Sequence, residues 1–356
     1  MNYFENYVSN TLASSGNQLY FESDNTEQAS RVFYKIFKGG KYEYSFLFSN
    51  IIDSTYADGS ISKANEMCDN WDMNAYLLVV DGKENNLKNP KIKEKFILTF
   101  NQMKEKAVIS GEIFYSDPII VNADKNDYFC LEIHFKGAKI PYFEEIIIPT
   151  FRLYNGEWIP DKKAPVAAMI GVKRKVEKRI GFFGDSITEG IGTPMNEYTH
   201  WNAQVAEKTG EKNSYWNLGI GYGRADDAAS DGSWLNKAKQ LDIATICFGV
   251  NDLGRGYTTE EIKNNLLKIV QILQENNVKT ILFTIPPFDY DERTTKKWKE
   301  INSYILNDLS KITDVYDVAK IWGLDEPNEN RAKYGGHPDE TGCKVMAEDF
   351  LSKFEL

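Results

Sequence analysis

The chain has 356 residues, more than one typical hydrophobic core accommodates, so two domains are expected. Its net charge is −10, with acidic and basic residues interspersed, which argues against nucleic acid and anionic membranes as partners. No stretch approaches the roughly 20 consecutive apolar residues that a membrane span requires.

The N-terminus and the cysteines bear on location. Residues 1–6 contain neither the basic region nor the apolar core of an export signal. The four cysteines lie far apart without a CxxC pair, so the sequence predicts neither a zinc site nor a disulfide framework. We expect a cytoplasmic protein with reduced cysteines. The pattern does not specify an oligomeric state.

Residues 1–175 are predicted to form an all-β domain. Apolar and polar residues alternate in Tyr42–Phe48 and Tyr128–Phe135, as is typical of strands with one buried face. Turn signals separate further short apolar runs, namely Tyr76–Val80, Phe96–Phe100, Ile113–Tyr115, Ile119–Val121 and Ile146–Ile148. Many short strands at this spacing favour a β-sandwich, of jelly-roll type.

Residues 176–356 alternate between predicted strands and predicted helices. The helix from Thr258 to Asn276 is the clearest, because Thr258 and Glu261 form a capping box ahead of an apolar stripe. The predicted strands are Arg179–Phe183, Ser214–Leu218, Ile243–Phe248, Lys279–Thr284 and Val315–Val318, and the other predicted helices are Thr199–Thr209, Lys296–Leu309 and Thr341–Phe350. This alternation predicts an α/β domain, in which helices cover both faces of a parallel sheet.

A serine follows the first of these strands directly. Ser186 lies in Gly184-Asp185-Ser186, at the carboxyl end of a predicted strand, where open α/β sheets carry their sites. A hydroxyl needs a neighbouring base to become a nucleophile, and the chain has three histidines. His134 lies on a predicted β strand and His200 at a helix start. His337 lies on a loop before the last helix, so we predict that it is the general base and then the general acid.

Acyl transfer also needs hydrogen-bond donors for the oxyanion that develops. The loop Asn217–Arg224 follows the second strand and offers a backbone N–H at Gly221 or Gly223. Asn251 follows the third strand and offers its side-chain amide. The backbone N–H of Ser186 is the third predicted donor.

These four pieces, in this order, resemble the blocks of the SGNH (GDSL) hydrolase superfamily: Gly-Asp-Ser, a glycine after the second strand, Gly-x-Asn-Asp and a late His-Pro. The resemblance covers residues 177–356. It implies a three-layer α/β/α fold and a serine esterase that forms an acyl-enzyme on Ser186. It also implies that no metal or organic cofactor is needed.

One position departs from the superfamily pattern. Most members have an aspartate three residues before the histidine, where this chain has Tyr334. Either a backbone carbonyl orients His337, giving a Ser–His dyad, or another carboxylate does so, and the candidates are Asp339, Asp317 and Asp325.

The order of the halves resembles the two-domain carbohydrate esterases of the second carbohydrate esterase family. This resemblance implies that the partner is a small acetylated sugar or oligosaccharide, and Trp234 and Trp322 are candidate sugar contacts. Two alternatives stay open: a thioesterase or lysophospholipase that acts on longer acyl chains, and a non-catalytic carbohydrate-binding protein.

Overall fold

The computed structural model describes residues 6–54 and 62–356. Residues 1–5, part of the stretch in which no export signal is predicted, lie outside the described residues. The described residues form two compact units, one within Met1–Asp53, Asn65–Val176 and Ser214–Trp216, the other within Ser54–Ala64, Glu177–Asn213 and Asn217–Leu356.

The first unit consists of antiparallel sheets. Its strands are β1 (Val8–Ser9), β2 (Leu19–Glu22), β3 (Gln28–Lys35), β4 (Gly40–Ser49), β5 (Trp71–Val80), β6 (Ile92–Leu98), β7 (Glu105–Val108), β8 (Ile113–Tyr115), β9 (Ile119–Ala123), β10 (Tyr128–Gly137), β11 (Lys139–Tyr142), β12 (Thr150–Tyr154), β13 (Glu157–Pro160) and β14 (Met169–Val172). One sheet has the order β1-β14-β4-β8, with β9 also on β4, and a larger one has the order β13-β12-β3-β10-β5-β6, with β7 also on β5. Strands β2 and β11 form a separate pair.

Aromatic side chains fill the space between the two larger sheets. The rings of Tyr44 and Phe46, on β4, lie 4.8 and 6.4 Å from the ring of Phe129 on β10. These contacts pack one sheet against the other, and the predicted all-β character of this half is confirmed. The predicted strand at Ile146–Ile148 is wrong: those residues lie in the irregular connection that follows a turn, although Ile146 and Ile148 are buried. Burial alone makes such a short run apolar, so its composition cannot distinguish it from a strand.

The second unit contains a five-stranded sheet and its helices. The strands are β15 (Arg179–Gly184), β16 (Ser214–Gly219), β17 (Ile243–Cys247), β18 (Lys279–Phe283) and β19 (Asp314–Tyr316). The first three residues of β16 cluster with the first unit. The helices are α1 (Ser186–Glu189), α2 (Trp201–Thr209), α3 (Ala225–Ala229), α4 (Ser233–Ala238), α5 (Val250–Gly254), α6 (Thr259–Glu275), α7 (Glu292–Asn307), α8 (Val318–Trp322) and α9 (Glu340–Lys353). The strand order is β16-β15-β17-β18-β19, and β15, β17, β18 and β19 pair in parallel.

Helices cover both faces of this sheet. Neighbouring side chains on a strand point to opposite faces, and the two phenylalanines of β15 meet different helices. Phe182 packs against Trp201 of α2, with ring centroids 5.1 Å apart, and Phe183 packs against Trp234 of α4 at 4.9 Å. The predicted α/β fold with a parallel sheet is therefore confirmed. None of the helices formed by the described residues is both long and apolar enough to cross a membrane.

The strand order places a crevice at the end of β15. The chain passes from β15 to β16 on one side and returns to β17 on the other. Such a switch in direction opens a crevice beyond the carboxyl end of the shared strand, because the connections leave it on opposite faces. Ser186 follows that end of β15 by two residues.

The second unit includes a short segment that is numbered within the first half of the chain. Ser54 and residues 62–64 cluster with this unit. The Ser62 hydroxyl donates a hydrogen bond to Asp227 Oδ1 at 2.8 Å, and the Ser54 hydroxyl donates to Oδ2 at 3.5 Å. Asp227 lies on α3, directly after the loop that carries Gly221 and Gly223.

Candidate active site

The backbone around Ser186 is a strand that turns sharply into a helix. Asp185 caps α1, and its Oδ1 accepts a hydrogen bond from Ile187 N at 3.0 Å, which holds the turn. A Cβ on Gly184 would lie 2.6 Å from the Cys247 carbonyl oxygen, so only glycine lets β15 end this close to β17. Gly190 ends α1 with φ at +117°. The turn thus fixes where the serine hydroxyl points.

The hydroxyl of Ser186 meets the imidazole of His337. Ser186 Oγ lies 2.8 Å from His337 Nε2, a hydrogen-bond distance between residues 151 positions apart in the chain. The serine is 7 % exposed and the histidine is half-buried. Burial lowers the pKa of His337, which favours the neutral imidazole that can accept a proton from the serine.

Packing holds the loop of His337. The ring of Phe288 meets the imidazole edge to face, with centroids 5.4 Å apart. A Cβ on Gly336 would lie 2.8 Å from that phenylalanine ring, and one on Gly192 would lie 2.8 Å from the His337 carbonyl oxygen. Phe288 is not among the residues predicted for the site, although its position beyond the carboxyl end of β18 is a signal that could have found it.

None of the three candidate acids orients His337. Asp339 caps α9 and accepts from Gly342 N at 2.8 Å, and Asp317 caps α8 and accepts from Thr284 Oγ1 at 3.0 Å. Asp325 is exposed. Among the described residues no carboxylate forms a hydrogen bond or ion pair with His337, and burial alone shifts its pKa. The prediction that one of these carboxylates orients His337 is therefore corrected. Two of them cap helices, and the third is exposed to water.

The predicted backbone donors differ in the hydrogen bonds that their N–H groups form in the structure. Ser186 is the first residue of α1, so its N–H has no carbonyl to bond within that helix. Gly223 N–H donates to the Ile220 carbonyl at 3.1 Å, which corrects the prediction that it binds an oxyanion. Gly221 and Tyr222 form the centre of that same turn. The backbone of Tyr222 has φ at +58°, a left-handed conformation that residues other than glycine and asparagine seldom adopt.

Asn251 reaches the same loop from the next strand. It lies at the start of α5, after Gly249, whose φ is +120°. Its Nδ2 donates to the Gly223 carbonyl at 2.9 Å, which uses one of the two N–H groups of the amide. The second N–H is the one that could serve a ligand.

The two tryptophans are core residues rather than exposed loop residues. Trp234 is 1 % exposed, and its Nε1 donates to the Leu218 carbonyl at 2.9 Å. Trp322 is 3 % exposed and donates to the Gly342 carbonyl at 2.9 Å. The prediction that they contact a sugar is wrong, because both indoles are buried and their N–H groups donate to backbone carbonyls of β16 and α9.

Ser186 and His337 lie at hydrogen-bond distance beyond the carboxyl ends of a parallel sheet, an arrangement in which a histidine can activate a serine nucleophile. A family model of GDSL-like lipases and acylhydrolases matches residues 182–345. The resemblance of this half to the SGNH (GDSL) hydrolase superfamily is therefore confirmed.

Individual relatives are distant. An uncharacterized curated protein of Mycoplasma pneumoniae is 26 % identical over 238 residues, which are 57 % of this chain and only 24 % of that protein's length. The fold is similar to that of a member of the lipolytic G-D-S-L family from Veillonella parvula, at 20 % identity over 49 % of this chain and 97 % of that one, with a TM-score of 0.40.

Two similar solved structures are esterases by their descriptions. One is an acetyl xylan esterase, with 21 % identity over 50 % of this chain and all of that one, and a TM-score of 0.40. The other is a variant of an acetyl-xylooligosaccharide esterase from Geobacillus Stearmophilus, with 19 % identity over 51 % of this chain and 97 % of that one, and a TM-score of 0.39.

Proposed function

We propose that this protein is a serine esterase that removes O-acetyl groups from acetylated sugars or oligosaccharides. The observation that carries the proposal is the 2.8 Å contact between Ser186 Oγ and His337 Nε2. That contact pairs a nucleophile with its base in the geometry that proton transfer requires.

The reaction proceeds in two steps through a covalent acyl-enzyme. Ser186 Oγ attacks the ester carbonyl carbon while His337 Nε2 accepts the hydroxyl proton. The tetrahedral intermediate then expels the sugar alcohol, which takes that proton from the imidazolium. Water repeats the sequence on the acetyl-enzyme, so that acetate leaves and the serine recovers its proton.

Three amide donors are proposed for the oxyanion. They are the Ser186 N–H, the second N–H of Asn251, and a backbone N–H from the turn at Gly221 and Tyr222. Each such donor contributes about 10²–10³-fold in rate when it is aimed at the developing charge.

His337 acts in this mechanism without a carboxylate partner. In a triad the acid fixes the imidazole tautomer and orientation. Here the ring of Phe288 packs against the imidazole, and Gly192 packs closely against the backbone carbonyl of His337. We therefore propose a Ser186–His337 dyad.

The sugar-acetate substrate rests on the layout of the chain. An all-β half precedes the hydrolase half, as in the carbohydrate esterases that the sequence resembles. The buried Trp234 and Trp322 add no support, since neither is available to stack on a sugar.

Acetate release tests the proposal. The full chain should hydrolyse p-nitrophenyl acetate and release acetate from acetylated xylo-oligosaccharides, and Ser186→Ala should do neither. Faster cleavage of the octanoyl ester than of the acetyl ester would replace the acetylesterase by a long-chain acylhydrolase. Sugar binding without any ester turnover would replace it by a binding protein.

A further inference from the structure

Side chains from two helices hold three consecutive residues that follow the proposed oxyanion turn. The Gly223 carbonyl accepts from Asn251 Nδ2 at 2.9 Å. Arg224 N–H donates to Asp227 Oδ2 at 3.3 Å, and Ala225 N–H donates to Asp252 Oδ2 at 3.0 Å. The backbone of residues 223–225 is thus anchored at every position.

Two of the three anchors are neighbours on α5. Asn251 and Asp252 reach the same loop from adjacent positions, one as a donor and one as an acceptor. Asn251 is therefore both a proposed oxyanion donor and one arm of a two-armed clamp, whose other arm is Asp252. The clamp fixes the distance between the two loops that supply oxyanion donors.

Asp252 is unusual for a residue that only stabilises the fold. Its side chain is 0 % exposed, and Oδ1 is buried without a hydrogen-bond partner among the described residues. Burial, with the nearby Asp227 carboxylate adding to it, raises the pKa of Asp252 to about 7. An unsatisfied buried carboxyl oxygen lowers stability, and the hydrogen bond that the other oxygen accepts from Ala225 N–H offsets part of that cost.

We propose that Asp252 is a positioning residue. By accepting a hydrogen bond from the Ala225 N–H, it holds the Gly221–Tyr222 turn where an N–H of the turn can bind the same oxyanion as the N–H groups of Asn251 and Ser186. The inference rests on the esterase proposed above. It assigns Asp252 no contact with substrate. Loss of its oxygen would leave the Ala225 N–H buried without an acceptor and release the loop.

The experiment compares Asp252→Ala, which removes the acceptor, with Asp252→Asn, which keeps an amide oxygen at that place. Each variant of the full chain is measured for kcat and KM on p-nitrophenyl acetate, and for amide hydrogen exchange in the peptide that contains residues 223–225. Asp242→Ala is the matched control. Asp242 also accepts a backbone N–H, that of Arg179 at 2.7 Å, but at the opposite end of the sheet.

We expect Asp252→Ala to lower kcat about tenfold, the loss of a partly displaced oxyanion donor, with KM within about twofold of the native value. Exchange at residues 223–225 should accelerate. Asp252→Asn should keep most of kcat and the slow exchange, and Asp242→Ala should change neither. If Asp252→Ala does not fold, Asp252→Leu, which fills the same space without an acceptor, takes its place.

Two results would overturn the proposal. One is unchanged exchange and unchanged kcat in the variant without an acceptor. The other is an Asp252→Asn enzyme as impaired as Asp252→Ala at equal Tm, since charge rather than the hydrogen bond would then matter. If the native chain hydrolyses no ester, the esterase proposal fails, and the exchange measurement alone still decides whether Asp252 holds the loop.

Discussion

His337 carries the catalytic proposal at the level of single residues, because no carboxylate among the described residues supports it. In enzymes that depend on a triad, loss of the acid costs orders of magnitude in rate. Here the aspartates near the histidine in sequence are engaged elsewhere: Asp339 and Asp317 cap helices, and Asp325 is exposed.

We therefore predict different outcomes for two sets of variants. Ser186→Ala and His337→Ala should each lower kcat about 10³-fold or more, because each removes a group that makes or breaks a bond. Asp339→Asn, Asp317→Asn and Asp325→Asn should each keep kcat within about twofold, a range typical of surface changes. Steady-state kinetics on p-nitrophenyl acetate measures both sets. A large loss in one aspartate variant would identify that residue as the orienting acid.

The pH dependence follows from the burial of His337. Burial lowers its pKa below the ordinary value of 6.5, and only the neutral imidazole can accept the serine proton. Activity should thus rise with pH and reach its plateau with a midpoint below 6.5 in the profile of kcat/KM. Asp252→Asn should show the same midpoint, which separates His337 from the other buried titrating group. A midpoint above 6.5 would contradict the assignment of this limb to His337.

Asp252 should make stability depend on pH. Its pKa rises from an ordinary 3.8 to about 7 on folding, so between those values the folded protein keeps a proton that the unfolded chain has released. Binding this proton stabilises the folded state. The stabilisation is complete below the pKa of Asp252 in the unfolded chain and is lost as the pH rises through its pKa in the folded protein. The Asp252→Asn variant has no carboxyl group at this position, so it does not lose this stabilisation as the pH rises. The Tm of the variant, minus that of the native protein, should therefore increase by several degrees between about pH 5 and about pH 8. A constant difference would show that the carboxyl does not titrate as described.

At the level of elements, length decided what the sequence could reveal. The 17-residue α6 shows its apolar stripe and its capping box clearly, and the structure places both where the pattern predicts. Helices α1, α3, α4, α5 and α8 have six residues or fewer, too few for a period of 3.6 to appear, and none was predicted. These short helices nevertheless position Ser186, Asn251 and the loop between them.

The capping box of α6 gives a test of stability separate from activity. Thr258 Oγ1 accepts from Glu261 N at 3.2 Å, and Glu261 Oε2 accepts from Thr258 N at 2.8 Å. Thr258→Ala should cost about 1 kcal/mol of unfolding free energy, as loss of a cap does, with kcat unchanged. Thermal or urea unfolding measures it. Thr259→Ala, one residue inside the helix, is the control, and an equal loss there would show that the cap is not responsible.

The donor loops show where prediction from sequence ends. The order of the motifs along the chain was sufficient to predict that Ser186, His337 and Asn251 lie at one edge of the sheet. It could not show that the Gly223 N–H is already engaged, because that depends on a local hydrogen bond to the Ile220 carbonyl. It could not separate buried from exposed tryptophans either, since an apolar ring on a short helix has the same sequence signature in both places.

At the level of the whole molecule, the two halves differ in how far their sequence specifies them. The hydrolase half carries a chain of small motifs at strand ends, and a family model recognises it over residues 182–345. The β half has only alternation and turns, which predict strands but not their pairing order.

The hydroxyls of Ser54 and Ser62 on Asp227 bear on how such a chain could have been assembled from modules. A gene fusion joined at the predicted boundary between residues 175 and 176 would inherit the catalytic motifs intact. It would not inherit those two donors, and the helix next to the oxyanion turn would lose them. A replacement β module would have to present hydroxyls at the equivalent place. In such a fusion Asp227 would keep its hydrogen bonds from Arg224 and lose those from the two serines.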